Sequence, residues 1–137
     1  GLPGIPLAIA RPDVKVTLIE PLLRRTKFLD EVVADLGLTN VTVLRGRAEE
    51  KVVRKEVGAV DVVTSRAVAP LGKLAGWSLP LVRTGGRMIA MKGSSAAEEI
   101  QRDGKLIAKA KGKSPSIVEI GESILDTPTY VVDITKK

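Results

Sequence analysis

Glu20 ends an apolar run, VTLIE at 16–20, and follows Gly1 and Gly4 in the sequence. The separation is close to the roughly 20 residues that part a glycine turn from its acidic partner in nucleotide-binding folds. Glycine lets backbone approach a ligand, and a carboxylate accepts hydrogen bonds from both hydroxyls of a ribose more strongly than a neutral side chain does. The plainer role for Glu20 is to cap the next helix, and the two roles are compatible. Three further strand ends carry polar or flexible residues: Arg45-Gly46, Ser65-Arg66 and Lys92-Gly93. Ligands of open α/β sheets bind beyond the carboxyl ends of the strands, so four such ends in register point to one site. Histidine and cysteine are absent. That removes imidazole acid–base chemistry, thiol nucleophiles, disulfides and Cys/His metal sites together.

Positioning these residues requires strands alternating with helices, and the hydrophobic pattern supplies them. GIPLAIARP (4–12) reads as a short apolar helix stopped at Arg11-Pro12-Asp13, and VKVTLIE (14–20) as a buried strand. Residues 21–37 read as an amphipathic helix with Leu22, Leu29, Val32, Val33 and Leu36 on one face. Pro21 suits its first turn and Gly37 its C-terminal cap. Strand VTVLRG (41–46), a charged helix at 48–58, strand AVDVVTSRA (59–67) and a helix at 70–83 come next. Then come strand GRMIAMKG (86–93) and a polar helix at 95–110, for which Ser95 and Glu98 form a capping box. The last strands are 116–120 and 129–134, separated by a turn-rich segment with Asp126-Thr127-Pro128. They are joined too closely for a helical crossover, so they pair antiparallel. Near-continuous apolar strands alternating with helices predict a doubly wound, mostly parallel α/β sheet with an antiparallel C-terminal strand.

The chain has 137 residues, the length of one domain, with 44% hydrophobic content. Its 22 Lys and Arg against 16 Asp and Glu leave +6, which favours a polyanionic partner. No apolar run reaches the ~18 residues of a membrane span, the first residues do not resemble a signal peptide, and a cytoplasmic location fits. Arg24, Arg25 and Lys27 begin one helix near the site edge, and Arg102, Lys105, Lys109, Lys111 and Lys113 come after Lys92. Each group is either a solvated face or a phosphate contact. Phe28, Trp77 and Tyr130 are the only aromatics and are not interleaved with the basic run, so no stacking platform for bases is visible. Trp77 is expected in the core.

GLPGIPLAIARPD, VTLIEPLLRRTKFL, LGLTNVTVLRGRAEE, DVVTSRAVAPL and MKG, in this order and spacing, resemble the RsmG family, also called glucose-inhibited division protein B. The resemblance covers nearly the whole chain. It implies a Rossmann-like class I methyltransferase that uses S-adenosylmethionine to methylate N7 of a guanine in 16S rRNA of the small ribosomal subunit, with no metal. By the same resemblance Gly1 and Leu2 end the glycine-rich cofactor loop and Glu20 is the acidic ribose ligand. Ala48 and Glu49 flank the adenine. Arg66, in the SRA motif, lies by cofactor and target as a positioning residue. Arg24, Arg25, Lys92 and Lys105 are the candidates for RNA contact, Lys92 at the site edge. Family members begin the loop D-x-G-S-G at the end of a central first strand, after several N-terminal helices. The resemblance therefore implies that residues 1–137 form a single methyltransferase domain truncated at its N-terminus. Two other readings share parts of the pattern: a nicotinamide-dependent dehydrogenase, through the glycine and acidic-residue logic, and a basic RNA-binding module without enzymatic activity.

Overall fold

The computed structural model describes residues 3–66, 69–121 and 129–137. They fall into two compact units, Gly1–Val57 and Gly58–Lys137. The first unit runs α1 (Gly4–Ala10), β1 (Val16–Glu20), α2 (Leu23–Asp35), β2 (Val41–Arg45) and α3 (Lys51–Val57). β1 and β2 pair parallel, from Val16 with Val41 to Glu20 with Arg45, so both strands end at the same level. Ala8, Leu18, Leu29 and Val53 are its buried apolar side chains. Asn40 ties the unit together: its amide nitrogen donates to the carbonyls of Ala8 (3.1 Å), Arg11 (3.3 Å) and Val14 (2.9 Å).

α2 differs from the sequence expectation at its start. Its N-cap is Leu22 in an extended conformation, so Pro21 lies outside the first turn. Thr26, not an apolar residue, fills the buried position there, its hydroxyl donating to the Leu22 carbonyl at 2.9 Å. Leu29 is buried as expected, but Leu22 and Leu36 are exposed. Gly37 comes directly after the C-cap with φ +62, the left-handed conformation that favours glycine at a helix end.

The second unit runs β3 (Val60–Arg66), α4 (Leu71–Ser78), a 3₁₀ turn (Leu79–Leu81), β4 (Val82–Lys92), α5 (Ala96–Arg102), α6 (Gly104–Lys109), β5 (Gly112–Ile120) and β6 (Thr129–Lys136). Its sheet has the order β3-β4-β6-β5. β3 and β4 are parallel, whereas β6 runs antiparallel to both β4 and β5. The antiparallel final pair is thus present, with the expected parallel pairs joined through helices. Leu71, Leu74, Ala75 and Leu79 pack on Met88, Ala90, Val132 and Ile134 of the sheet, joined by Ala96 and Ile107. Trp77 and Tyr130 lie partly buried at the edge of this core.

The helix expected over 48–58 covers only Lys51–Val57, and two others are also shorter than their periodicity suggests. The helix expected over 70–83 stops at Ser78, because Pro80 cannot continue an α-helical ladder and the chain tightens into the 3₁₀ turn. The helix expected over 95–110 is two helices, broken at Asp103-Gly104. Ser95 is the N-cap of α5 but makes no capping hydrogen bond, so the expected capping box with Glu98 does not form. Its hydroxyl donates instead to Glu99 Oε2, at 2.9 Å. The segment containing Asp126-Thr127-Pro128 lies outside the described residues.

Candidate functional site

In the first unit, the parallel register brings Glu20 beside the chain that leaves β2. The Gly46 N–H donates to the Glu20 carbonyl at 3.1 Å, extending the ladder one step past the strands. Glu20 is half-buried. Its Oε1 accepts the Leu22 N–H at 3.2 Å, which fixes the carboxylate at the start of α2. Oε2 has no hydrogen-bond partner among the described residues. Glu20 thus bonds the N–H of the N-cap residue itself and not one of the first helical turn, so α2 has no side-chain cap.

The next turn is built tightly. A Cβ on Gly46 would meet Val53 Cγ2 at 2.5 Å, so a larger residue would push α3 away from the strand end. The Arg47 N–H donates to Glu50 Oε1 at 2.6 Å, closing a turn over Ala48 and Glu49. Ala48 (half-buried) and Glu49 (exposed) follow directly on the end of β2, whose last residue Arg45 pairs with Glu20. Arg24, Arg25 and Lys27 are exposed on the first turns of α2. Gly1 and Leu2, expected as the end of the glycine loop, lie outside the described residues.

In the second unit, Arg66 closes β3 opposite Met91 and is exposed, with no ion pair among the described residues. Lys92 behaves differently from expectation. The sequence places it as an RNA-contacting lysine at the site edge, but its side chain is only 7% exposed. Its ammonium stands 2.8 Å from Glu99 Oε1 and donates to the Ala69 carbonyl at 2.7 Å. A free phosphate-binding charge is thereby replaced by a buried, partnered one. Arg102 is likewise committed, donating from Nε and Nη2 to both oxygens of Asp103 at 3.0 Å. Lys105, Lys109, Lys111 and Lys113 are exposed.

Glu99 and Asp103 organise this region. Glu99 Oε1 accepts the Leu71 N–H at 3.0 Å, and Asp103 Oδ2 accepts the Gly72 N–H at 2.9 Å. Two carboxylates from α5 and the α5–α6 junction thus satisfy the first N–H groups of α4, the end where negative charge is favourable. Burial pushes the Glu99 carboxyl up, but bonds from the Lys92 ammonium, the Leu71 N–H and the Ser95 hydroxyl outweigh it, so its pKa lies below the usual range. Asp103 is held low by Arg102 first and by the Gly72 N–H second. An open pocket of about 440 Å³ lies over this network, lined by Ala69, Pro70, Lys92, Ser95, Glu98 and Arg102 among others.

The family model for GidB, rRNA small subunit methyltransferase G, matches residues 1–126. The chain belongs to this family. The ribosomal RNA small subunit methyltransferase G of Corynebacterium glutamicum (strain R) is 66% identical over all 137 residues. That of Corynebacterium diphtheriae is 67% identical over 136 residues, 99% of this chain and 60% of that protein. The match takes in 61% of the C. glutamicum protein, so the chain spans about three fifths of the length of these curated relatives. Among solved structures, a 16S rRNA (adenine(1408)-N(1))-methyltransferase from Catenulisporales acidiphilia superposes with a TM-score of 0.75 at 12% identity, over 96% of this chain and 77% of that one. The same enzyme crystallised with its cosubstrate SAM gives 0.71 at 13% identity, over 96% and 77%. The fold is that of the class I S-adenosylmethionine-dependent methyltransferases.

Membership of the small subunit methyltransferase G family does not favour the dehydrogenase or the non-enzymatic module. The sequence reading missed Glu99, Asp103 and Asn40. A signal existed for the first two: Ala96, Glu99, Asp103 and Ile107 recur at three- and four-residue steps, which puts both carboxylates on the buried face.

Proposed function

We propose that the protein transfers a methyl group from S-adenosylmethionine to N7 of a guanine in 16S rRNA of the small ribosomal subunit, in the cytoplasm where that substrate resides. Family membership over residues 1–126 carries this reading. The chemistry of Glu20 supports it, because an oriented carboxylate with one oxygen open fits a ribose diol. In this reading Glu20 holds the cofactor sugar, Ala48 and Glu49 flank the adenine, and Gly1 and Leu2 end the loop over the cofactor. When bound, S-adenosylmethionine supplies an electrophilic methyl group on its sulfonium.

The protein's own task is then positioning. Guanine N7 is a lone-pair acceptor with no proton to lose, so the chain needs to provide no general base. A sequence without histidine suits that requirement. Arg66 offers a planar fork that can take the methionine carboxylate of the cofactor or O6 of the guanine, next to the attacked N7. Orientation and exclusion of water supply the acceleration. Exposed Arg24, Arg25 and Lys105, within a +6 chain, contact rRNA phosphates.

The test is methylation by the full-length protein, using radiolabelled S-adenosylmethionine with small subunits and with deproteinised 16S rRNA, then nucleoside mass spectrometry. Label in 7-methylguanosine is expected. Label in another base would overturn the choice of atom, and no label on either substrate would overturn the reading altogether.

A further inference from the structure

Arg66 and Ala69 are each held by one of two consecutive residues of β4. Arg66 is the last residue of β3 and pairs with Met91 of β4. The next residue of β4, Lys92, reaches with its ammonium to the Ala69 carbonyl. Immediately beyond, Glu99 and Asp103 hold the N–H groups of Leu71 and Gly72. Arg66 on one side, and Ala69, Leu71 and Gly72 on the other, are thus held by partners within this unit.

The ion pair is not explained by stability alone. Burying a lysine and a glutamate costs desolvation that their attraction barely offsets, and apolar replacements of such pairs are often as stable. Capping Leu71 needs only Glu99, which has a second cation, Arg102, at 3.8 Å. What Lys92 alone contributes is the bond to the Ala69 carbonyl. We propose that Lys92 is a positioning residue for Arg66: it anchors the backbone just beyond the SRA motif and so sets where the guanidinium stands relative to the methyl-transfer site. This rests on the methyltransferase reading of Arg66. Lys136 provides an internal comparison. Its ammonium donates to the Leu79 carbonyl at 2.6 Å, a tether of the same chemistry beyond the other end of α4.

The experiment compares wild type, Lys92→Met/Glu99→Gln and Lys136→Met in the full-length protein. Methionine keeps the lysine stem, and glutamine keeps an acceptor for Leu71 without leaving a buried charge unpaired. Three quantities are measured: folded fraction, amide exchange in peptides covering 66–72, and turnover on small subunits per folded molecule. The double variant should fold, exchange faster across 66–72, and lose roughly tenfold to a hundredfold in turnover, as a small misplacement of a positioned group does. Lys136→Met should loosen only the region of Leu79 and keep wild-type turnover per folded molecule. Wild-type turnover in the folded double variant would overturn the proposal, and so would unchanged exchange across 66–72. If the wild type transfers no methyl group, the methyltransferase reading fails first. The exchange comparison still decides whether Lys92 holds the segment.

Discussion

Replacing Asp103 with alanine removes one acceptor from the start of α4 and leaves little else changed. The Asp103 side chain is 9% exposed, and its Oδ2 takes the Gly72 N–H at 2.9 Å. Without it a buried N–H loses its partner, a cost of about 1–3 kcal/mol. Removing negative charge from the positive end of the helix adds about 0.3–1 kcal/mol. Arg102 is well exposed, so its lost partner is screened by water and contributes no further term. The expected loss is about 1.3–4 kcal/mol in total. Asp103→Asn keeps an acceptor for Gly72 and should lose about 1 kcal/mol or less. Urea unfolding monitored by Trp77 fluorescence measures both, since the only tryptophan of the chain sits in α4 itself. An alanine variant within about 0.5 kcal/mol of wild type would refute the capping argument. So would equal losses for alanine and asparagine.

Acid should weaken the same region. Glu99 and Asp103 have folded pKa values below their unfolded ones, so their contribution is complete above the ordinary carboxylate range and is lost as pH falls through the folded values. Melting monitored at Trp77 should be flat near neutrality and fall below about pH 4, and the fall should be shallower in Glu99→Gln/Asp103→Asn; equal slopes would contradict the assignment. Glu20→Gln preserves the acceptor for Leu22 but removes the charge offered to a ribose. It should weaken S-adenosylhomocysteine binding by about 1–3 kcal/mol in calorimetry, and unchanged affinity in a folded variant would leave Glu20 only its bond to the Leu22 N–H. Arg66→Lys keeps charge and loses the fork, so methylation should drop with the fold retained. Weakened cofactor affinity would assign Arg66 to the cofactor, intact affinity with lower turnover to the guanine, and wild-type values of both would remove it from the site.

Hydrophobic period carried the fold where a segment buries an apolar stripe, as α4, β4 and β6 do; β5, exposed along nearly its whole length, has no such stripe. VTLIE and VTVLR became β1 and β2 with their ends aligned, whereas Glu20 was read as a strand-end ligand from its glycine spacing and its place at the end of an apolar run. Helix ends were less legible, because they depend on groups distant in sequence. The break at Asp103-Gly104 is one case: Asp103 is drawn toward Gly72, thirty-one positions earlier. The Leu22 N–H, by contrast, is taken by Glu20 only two positions away, as a carboxylate at the entry to the helix suggested.

Lys92 shows how much a charge at a strand end leaves undetermined. Arg66 and Lys92 end neighbouring parallel strands and are equally polar in the sequence, yet one is exposed and the other is buried. The difference lies in the helix after each strand. α5 places Glu99 against the end of β4, where its carboxylate can neutralise an inward lysine. Arg66 has no such carboxylate among the described residues of its own unit. Partner geometry, not charge, thus separates the two roles. The exposed arginine has no ion pair among the described residues, while the paired lysine is bonded to the Ala69 carbonyl. A basic residue at the end of a parallel strand should therefore be assigned to ligand or scaffold only after asking whether the next helix turns an acidic residue onto its buried face. Here that helix does, through Glu99 on the face shared by Ala96 and Ile107.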